Sequence, residues 1–301
     1  MQINNIKLLR KLAQRSLHYV VFQSWRIFTS TPRHKRLRLS LFLSGMWTLF
    51  FLIPLRALVL LAVYLWFRHV DDVADRELDN PLPGPGGLKK FIAAKRMVLQ
   101  RLASNQIEMR DLQGIDSLMS YSHLKCLMWG FDIIPSMHLI LDSVSYDVER
   151  SGIEGAPSKM NIGEYFKKLD LPTALETLRI IGETSVGVLD LQGFMDATRI
   201  YFNLRDMLRD AAVGIFNISA EDLREYQIDL ELIKRMGSLE DLMRVKGVRD
   251  WFRSQLEEMQ GHLEGGKRIL KARRAMPVTR LMLRVGFALP CQKFAKKWAK
   301  Y

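Results

Sequence analysis

Apolar residues recur three and four positions apart along most of this chain, and sustained alternation of apolar and polar residues is rare. The first pattern is typical of a helix with one buried face, and the second is typical of a strand. We therefore predict an all-α protein. The spacing predicts helices over residues 3–28, 38–53, 55–79, 88–104, 108–127, 134–151, 161–169, 172–190, 192–213, 219–229, 239–264 and 267–300.

Prolines and glycines indicate where the predicted helices begin and end. Pro172 suits the first turn of a helix, where its missing amide hydrogen has no partner in any case. Pro277 and Pro290 predict two breaks in the last helical segment. The stretch NPLPGPGG at residues 80–87 predicts the clearest loop in the chain.

The composition fits one large globular domain. Only 19 of the 301 residues are Gly and 10 are Pro, whereas the residues that favour helix are plentiful. A polar stretch at residues 30–36 separates the first predicted helix from the rest. We predict a basic amphipathic extension at residues 1–37 and one helical domain at residues 38–301 that ends in a basic helix.

Residues 42–67 are almost entirely apolar, and they are long enough to allow two interpretations. One interpretation is a transmembrane helix. The other, which we prefer, is a pair of buried helices that meet at Pro54, because Pro54 and Arg56 interrupt the apolar run.

The net charge of +13 is concentrated at the two ends of the chain. Residues 1–70 contain eleven Lys or Arg and no acid, and residues 265–301 contain another eleven and no acid. Apolar residues are interspersed among these cations, which favours an anionic membrane surface as partner. No nucleic-acid motif is present, so we predict no nucleic-acid partner. A basic surface above buried apolar faces is the alternative interpretation.

The compartment follows from the cysteines and the termini. Cys126 and Cys291 have no metal-ligand spacing and are too few for a disulfide framework, which favours a reducing compartment. We therefore predict a cytoplasmic protein that attaches peripherally to the membrane. The Arg-rich, acid-free amino terminus also matches a mitochondrial transit peptide, so a mitochondrial location is the alternative.

A first group of acids ends the most apolar predicted helix. Asp71 and Asp75 are four residues apart and share one helix face, with Asp72 beside them. Arg68 and Tyr64 continue the same stripe towards the amino end. Adjacent carboxylates repel one another unless a proton or a cation lies between them. Carboxylates suit a hard ion, so we predict a Mg2+ site, with Mn2+ as the alternative metal and a solvated helix end as the alternative structure.

A second polar group lies on a later amphipathic helix. Asn203, Asp206 and Asp210 share one face at spacings of three and four residues, and Arg205 and Arg209 flank them. A salt-bridged surface helix would produce the same pattern. A pair of such acids on each of two long helices is less easily explained in that way.

Two helices of this kind, facing each other across an apolar bundle, would hold metal ions around a diphosphate. A diphosphate departs readily only when its charge is neutralised, which metal ions and arginines can do. The carbocation that remains needs a dry, apolar and aromatic cavity. We therefore predict that the two acidic groups hold Mg2+ ions around a diphosphate.

These motifs resemble those of the squalene/phytoene synthase family, the head-to-head prenyl synthases. The family pattern of a Pro and then Y-x-x-x-R-x-x-D-D-x-x-D matches Pro54, Tyr64, Arg68, Asp71, Asp72 and Asp75. A middle segment, D-G-M-x-x-D-x-x-R, falls on Asp142, Asp147 and Arg150. The second motif, Q-x-x-N-x-x-R-D-x-x-x-D, falls on Asn203, Asp206, Arg209 and Asp210. Its final aspartate is replaced by Gly214.

The resemblance implies an isoprenoid-synthase helical bundle around a central apolar cavity. It implies Mg2+-dependent condensation of farnesyl or geranylgeranyl diphosphate to a C30 or C40 product, and it leaves a reduction by NADPH open. The implied catalytic residues are Asp71, Asp75, Asp206, Asp210 and Tyr64. The implied metal ligands are the same four aspartates and Asp72. The implied diphosphate ligands are Arg68, Arg209 and Asn203.

The altered second motif and the basic ends also support a function of another class. In that alternative the chain keeps the fold, lacks catalysis and acts as a membrane-associated assembly or scaffold protein.

Overall fold

The computed structural model describes residues 51–301 except residues 77, 83, 108–110, 112–113, 152–154 and 272–273, together with residues 18 and 22. Over these residues the chain forms helices, turns and loops and no strand, which confirms the predicted all-α class. Three predictions lie outside the described residues. They are the helix at residues 3–28, nearly all of the helix at 38–53, and the domain boundary after residue 37. His18 and Phe22 are described as helical and exposed.

The described α-helices are named here in chain order. They are α1 Pro54–Ala74, α2 Gly87–Ala103, α3 Asp116–Met128, α4 Ile134–Arg150, α5 Lys159–Ile181, α6 Gln192–Ala212, α7 Ala220–Glu225, α8 Leu230–Arg235, α9 Leu239–Leu242, α10 Lys246–Lys271, α11 Pro277–Met282 and α12 Leu289–Trp298. A 3-10 turn at Leu189–Leu191 precedes α6, and a π-helical stretch at Leu283–Ala288 joins α11 to α12.

The chain divides into two compact units. The boundaries between the units lie within α4, within α5 and just after the end of α5. The first unit contains the described residues up to Ser145 and Glu176–Glu183. The second unit contains Tyr146–Leu175 and Thr184–Tyr301.

In the first unit, α1 packs against α2 and α3. Trp66 is buried in this contact, and its indole Nε1 donates to Asp116 Oδ1 at 3.0 Å. Lys95 Nζ donates to both oxygens of the same carboxylate at 2.8 and 2.9 Å. One carboxylate at the start of α3 therefore joins three helices and fixes the carboxyl-terminal half of α1.

The long apolar segment is interrupted at the expected place. Residues 51–52 are helical, Ile53 is not, and Pro54 occupies the first turn of α1. The break predicted at Pro54 is thus confirmed. Within the described ranges, none of the helices has both the length and the hydropathy of a membrane span.

In the second unit, α6 packs along α10, and two glycines permit their close approach. A Cβ on Gly193 would lie only 2.5 Å from the carbonyl oxygen of His262. A Cβ on Gly266 would lie 2.9 Å from the ring of Phe194. Larger residues at these positions would push the helices apart, because interiors are close-packed and tolerate little added volume.

The predicted helices at 161–169 and 172–190 are in fact one helix, α5, which ends at Ile181. Pro172 lies inside it rather than in a first turn, so this prediction was wrong. An internal proline removes one backbone hydrogen bond. Beside that gap, the hydroxyl of Thr173 donates to a backbone carbonyl four residues earlier, at 2.6 Å.

Other predicted boundaries also need correction. The helix predicted at 239–264 is divided into α9 and α10, and α10 continues to Lys271 through the break predicted at residues 265–266. The helix predicted at 55–79 ends at Ala74, because Arg76 adopts a left-handed conformation with φ of 61°. The helix predicted at 108–127 begins only at Asp116. Pro290 does not break the last segment, since it lies in the first turn of α12, where a proline is tolerated.

Glu176 is a buried carboxyl group of the first unit, with 2% of its surface exposed. Ser136 Oγ donates to its Oε1 at 2.6 Å, whereas its Oε2 has no hydrogen-bond partner within the described residues. Burial is the main cause that raises the pKa of Glu176 above its ordinary value of 4.5. The folded state therefore binds this proton more tightly than the unfolded state does.

We expect Glu176→Gln to flatten the pH dependence of stability. Because the folded pKa of Glu176 is raised, the wild type loses stability as the pH rises from 4.5 through that raised value. The variant has no charge to bury and should escape this loss. Urea unfolding between about pH 4.5 and pH 8 measures it. Glu164→Gln, an exposed change on the same helix, is the control. Equal pH profiles for Glu176→Gln and the wild type would contradict the interpretation.

Candidate active site

The first acidic group lies at the carboxyl end of α1. Arg68 pairs with two of its carboxylates: Nη1 is 3.2 Å from Asp71 Oδ2, and Nη2 is 2.6 Å from Asp72 Oδ1. The helix ends at Ala74, and Asp75 caps it with its amide bonded to the carbonyl of Asp71 at 2.8 Å. The structure thus brings Arg68, Asp71 and Asp72 together and places Asp75 one turn beyond Asp71.

This position gives the acids a distinctive electrostatic environment. The backbone dipoles of a helix make its carboxyl end negative, and its last carbonyls have no partner within the helix. The last turn of α1 contains no basic residue, and Arg68 lies just before that turn. Carboxylates and helix dipole therefore both stabilise a cation here. The same acids at the amino end would be stabilised by the helix itself.

Tyr64 lies on α1 seven residues before Asp71, which is about 10 Å along a helix axis. It is half-buried, between the buried Val63 and Leu65. An aromatic face can stabilise a nearby positive charge. Its role beside a carbocation stays a prediction.

The second acidic group lies in the last two turns of α6. Arg205 Nε donates to Asp206 Oδ1 at 2.8 Å, and its Nη2 contacts the other oxygen of that carboxylate. Arg209 Nη2 lies 3.5 Å from Asp206 Oδ2 and 3.3 Å from Asp210 Oδ1. Both aspartates and both arginines therefore lie together, again at the carboxyl end of a long helix.

Arg205 is the residue of this group that sequence spacing does not assign to the site. Adjacent helical residues normally point in different directions, so spacing favours Arg209 instead. In the structure Arg205 binds both oxygens of Asp206 and lies over the ring of Phe202, 4.6 Å from its centroid. Burial opposes the charge of Arg205, but its hydrogen bond to Asp206 and the charge of that carboxylate outweigh burial and raise the pKa of Arg205.

Helix α6 ends where the family pattern has a further aspartate. Gly214 has a φ of +80°, which favours glycine. Its amide donates to the carbonyl of Ala211 at 3.1 Å, and the amide of Ile215 donates to the carbonyl of Asp210 at 2.8 Å. These are the two bonds of a Schellman helix end. A Cβ at Gly214 would also lie 3.0 Å from the carbonyl oxygen of Ser151. The aspartate of the family pattern is thus absent at a position where the backbone of this helix end favours glycine.

Beyond Gly214 the chain turns back towards Asp210. Asn217 Nδ2 lies 3.5 Å from Asp210 Oδ2, a long hydrogen bond, and Asn217 Oδ1 accepts from Arg150 Nη2 at 2.8 Å. Arg150 is buried, and its Nε donates to Asp147 Oδ1 at 2.7 Å. Two residues of the middle motif are therefore connected to the second motif through one asparagine.

A small pocket opens beside this network, within the second unit. Asn203 and Asp210, both predicted from the sequence, share it with the amide of Asn217. Spacing does not reveal Asn217, because it reaches the pocket only through the turn at Gly214. The lining residues are Asn203, Met207, Asp210, Ile215, Phe216, Asn217, Ile218 and Trp251.

The donors that these groups offer are oxygen atoms, which suit Mg2+. Among the described residues, no three Asp, Glu, His or Cys side chains converge as ligands of one metal ion. Mg2+ is usually held by one or two carboxylates together with water and substrate phosphates, rather than by a cage made only of protein. Asp71 with Asp75, and Asp206 with Asp210, fit a site of that kind.

The architecture is a squalene/phytoene synthase-like, all-α isoprenoid synthase fold. A solved structure of a dehydrosqualene synthase in complex with ligand aligns with 89% of this chain and 81% of its own, at a TM-score of 0.61 and 14% identity. The structure of squalene synthase HpnC from Alicyclobacillus acidocaldarius aligns with 98% of this chain and 95% of its own, at a TM-score of 0.60 and 15% identity. No family model and no curated protein matches the sequence. The predicted isoprenoid-synthase fold is therefore confirmed.

We expect Gly214→Ala to lower the free energy of unfolding by about 1–2 kcal/mol, because alanine is strained at positive φ and its Cβ would crowd a carbonyl. Gly261→Ala is the matched control, since Gly261 lies within α10 and a Cβ there meets nothing within 4 Å. It should raise that free energy by about 0.5–1 kcal/mol. Urea unfolding of both variants tests this contrast. Changes of the same sign would contradict the account of the helix end.

Proposed function

We propose that the protein is a Mg2+-dependent prenyl synthase that condenses farnesyl or geranylgeranyl diphosphate head to head and releases diphosphate. The observation that carries the proposal is the repeated arrangement of aspartates and arginines. In a squalene synthase-like fold, two 21-residue helices each end in aspartates spaced by four residues and paired with arginine. An ordinary surface helix has no reason to gather acids at its negative end.

In this proposal the aspartates hold the metal. Asp71 and Asp75, assisted by Asp72, would bind Mg2+ on α1, and Asp206 and Asp210 would bind Mg2+ on α6. When bound, Mg2+ neutralises the diphosphate, so that the electron pair of the breaking C–O bond can pass to the leaving group.

The arginines and the neutral residues would orient the substrate. Arg68 and Arg209 would donate hydrogen bonds to diphosphate oxygens, a task for which guanidinium groups are well suited. Asn203 would bind beside Arg209. Tyr64 would stabilise the cationic hydrocarbon with its ring. Asn217 would act as a positioning residue, because it contacts Asp210 and is itself held by Arg150.

The substrate and product of this reaction would be lipids or lipid-like. We therefore include in the proposal a cytoplasmic location with peripheral attachment to an anionic membrane through the basic ends of the chain. Both ends lack acids over long stretches, which supports an electrostatic component of that attachment.

A non-catalytic scaffold is the second candidate function. The observation that favours it is Gly214, where the family pattern has an aspartate and this chain has a helix end. A scaffold would not need Asp71, Asp72 and Asp75 together on α1, and this group favours the enzyme.

Diphosphate release with lipid analysis tests the proposal. The full-length protein is incubated with Mg2+ and either prenyl diphosphate, with and without NADPH, and the extracted lipids are analysed by mass spectrometry. A C30 or C40 product together with diphosphate supports head-to-head condensation. Diphosphate with only a monomeric terpene would overturn the condensation. No release with either substrate would favour the scaffold.

We expect Asp71→Asn and Asp210→Asn each to reduce diphosphate release by about a hundredfold or more, the usual effect of removing one group that stabilises developing charge. Asp79→Asn is the control for the first, because it is an exposed aspartate shortly after the motif. Asp250→Asn is the control for the second, because Asp250 is likewise preceded by an arginine that faces it, at 3.9 Å. Thermal unfolding, followed by circular dichroism, verifies that each variant is folded. Wild-type release in either motif variant would refute that residue's assignment.

A further inference from the structure

The last helical stretch of the second unit, from α11 to α12, is anchored by its inner face. The ring of Phe294 lies 6.1 Å from that of Phe252 and 5.3 Å from that of Tyr201. Cys291 and Trp298 are buried on the same side. Because this face is fixed by packing, the opposite face is a defined surface of the protein.

The opposite face carries an apolar stripe. Leu281, Val285 and Leu289 recur every four residues and are 41%, 46% and 38% exposed. A four-residue spacing keeps them aligned, because it lies between the turn of an α-helix and the wider turn of the π-helical stretch that the segment contains. Single exposed apolar residues are ordinary, but three in one line form a continuous strip that needs an explanation.

Cations border this stripe. Arg284, Lys293 and Lys296 are exposed, and the sequence contains no acid from α11 to the end of the chain. Within the described residues, Lys297 pairs with Glu240, whereas Arg284, Lys293 and Lys296 form no ion pair. The surface thus combines exposed hydrocarbon with cations that are available to an anionic partner.

We propose that this surface docks on a bilayer that contains anionic phospholipids. The apolar side chains would enter the boundary between headgroups and acyl chains, and the cations would pair with headgroup phosphates. The inference deepens the proposed membrane attachment and rests on that part of the proposed function alone, not on catalysis. The C-terminal face, as we name it, consists of Leu281, Arg284, Val285, Leu289, Lys293 and Lys296.

Charge and hydrophobicity together favour a bilayer over the other occupants. In a two-fold dimer the C-terminal face would meet itself, which would place its cations near one another. A nucleic acid would use the cations but would leave the apolar stripe in water, because its backbone is bound chiefly through charge. Of these three occupants, an anionic lipid surface is the one that satisfies both the stripe and the cations.

Flotation of the full-length protein with vesicles tests the proposal. We expect binding to vesicles of phosphatidylcholine with phosphatidylglycerol, little binding to phosphatidylcholine alone, and weaker binding as salt is raised, because salt screens the cations. The double variant Val285→Asp/Leu289→Asp should lose about tenfold or more in its partition to anionic vesicles. Both positions are exposed, so the variant should fold.

Controls separate this surface from general effects. Met160→Asp/Leu189→Asp introduces the same two charges at residues of the same unit that are 70% and 77% exposed, and it should bind as the wild type does. The triple variant Arg284→Gln/Lys293→Gln/Lys296→Gln should lose the preference for anionic vesicles. All variants should release diphosphate from detergent-dispersed substrate at the wild-type rate if the proposed reaction is correct.

The outcomes are distinguishable. Undiminished flotation of Val285→Asp/Leu289→Asp would overturn the proposal, and the attachment would then lie elsewhere, for example in the basic amino-terminal region. Equal binding of the wild type to neutral and anionic vesicles would also overturn it. The proposal would also be overturned if the wild type did not float with vesicles but formed a dimer, detected by light scattering, that the double variant abolished. Flotation without diphosphate release would uphold the docking surface and refute only the reaction.

Discussion

The structure depends on an electrostatic arrangement that helices normally avoid. Two long helices, α1 and α6, each end in aspartates, although the carboxyl end of a helix is already negative. The arrangement is stabilised by arginines that bind two aspartates each, Arg68 on α1 and Arg209 on α6, with Arg205 in addition on Asp206. Such ends are suited to a partner that brings more positive charge, and Mg2+, which would in turn hold a diphosphate, is the partner we propose.

The packing beneath these helix ends keeps them in place. In the first unit, the bonds from Trp66 and Lys95 to one carboxylate fix α1 against its neighbours. In the second unit, Gly193 and Gly266 allow α6 to lie directly against α10. Groups that stabilise charge during a reaction must be held in position beforehand, because reorganising them would cancel much of their effect. The apolar cores are therefore part of the account of the site.

The sequence predicted several of the helices well, because helical periodicity depends on spacing within one helix. It placed α2, α4 and α6 within a residue or two of their ends and put Asp71, Asp206 and Asp210 on helices, whereas Asp75 lies just beyond the end of α1. It failed at Pro172, where the surrounding packing keeps a helix continuous through a proline. It named Arg205 only as a flanking residue and missed Asn217, because their contacts depend on side-chain direction and on a turn, which spacing does not encode.

The two acidic groups are not equivalent, and the difference lies in the backbone. On α6 the helix ends at Gly214 in a Schellman motif, and the returning chain brings an amide, Asn217, towards Asp210. The Nδ2 of Asn217 faces Asp210 and its Oδ1 already accepts from Arg150, so this amide adds no charged oxygen in place of the aspartate that the family pattern has at Gly214. In the proposed reaction, the second group would therefore depend more on the substrate diphosphate to hold Mg2+ than the first group would.

Calorimetric titration of Mg2+ into the full-length protein, with and without a non-hydrolysable prenyl diphosphate analogue, tests this account most directly. We predict that Mg2+ alone binds weakly and that it binds much more tightly in the presence of the analogue. Mg2+ should strengthen binding of the analogue by the same factor, because binding free energies are coupled reciprocally. Mg2+ binding that is unaffected by the analogue, or no binding of either, would contradict the central claim that these acidic helix ends bind Mg2+ and diphosphate.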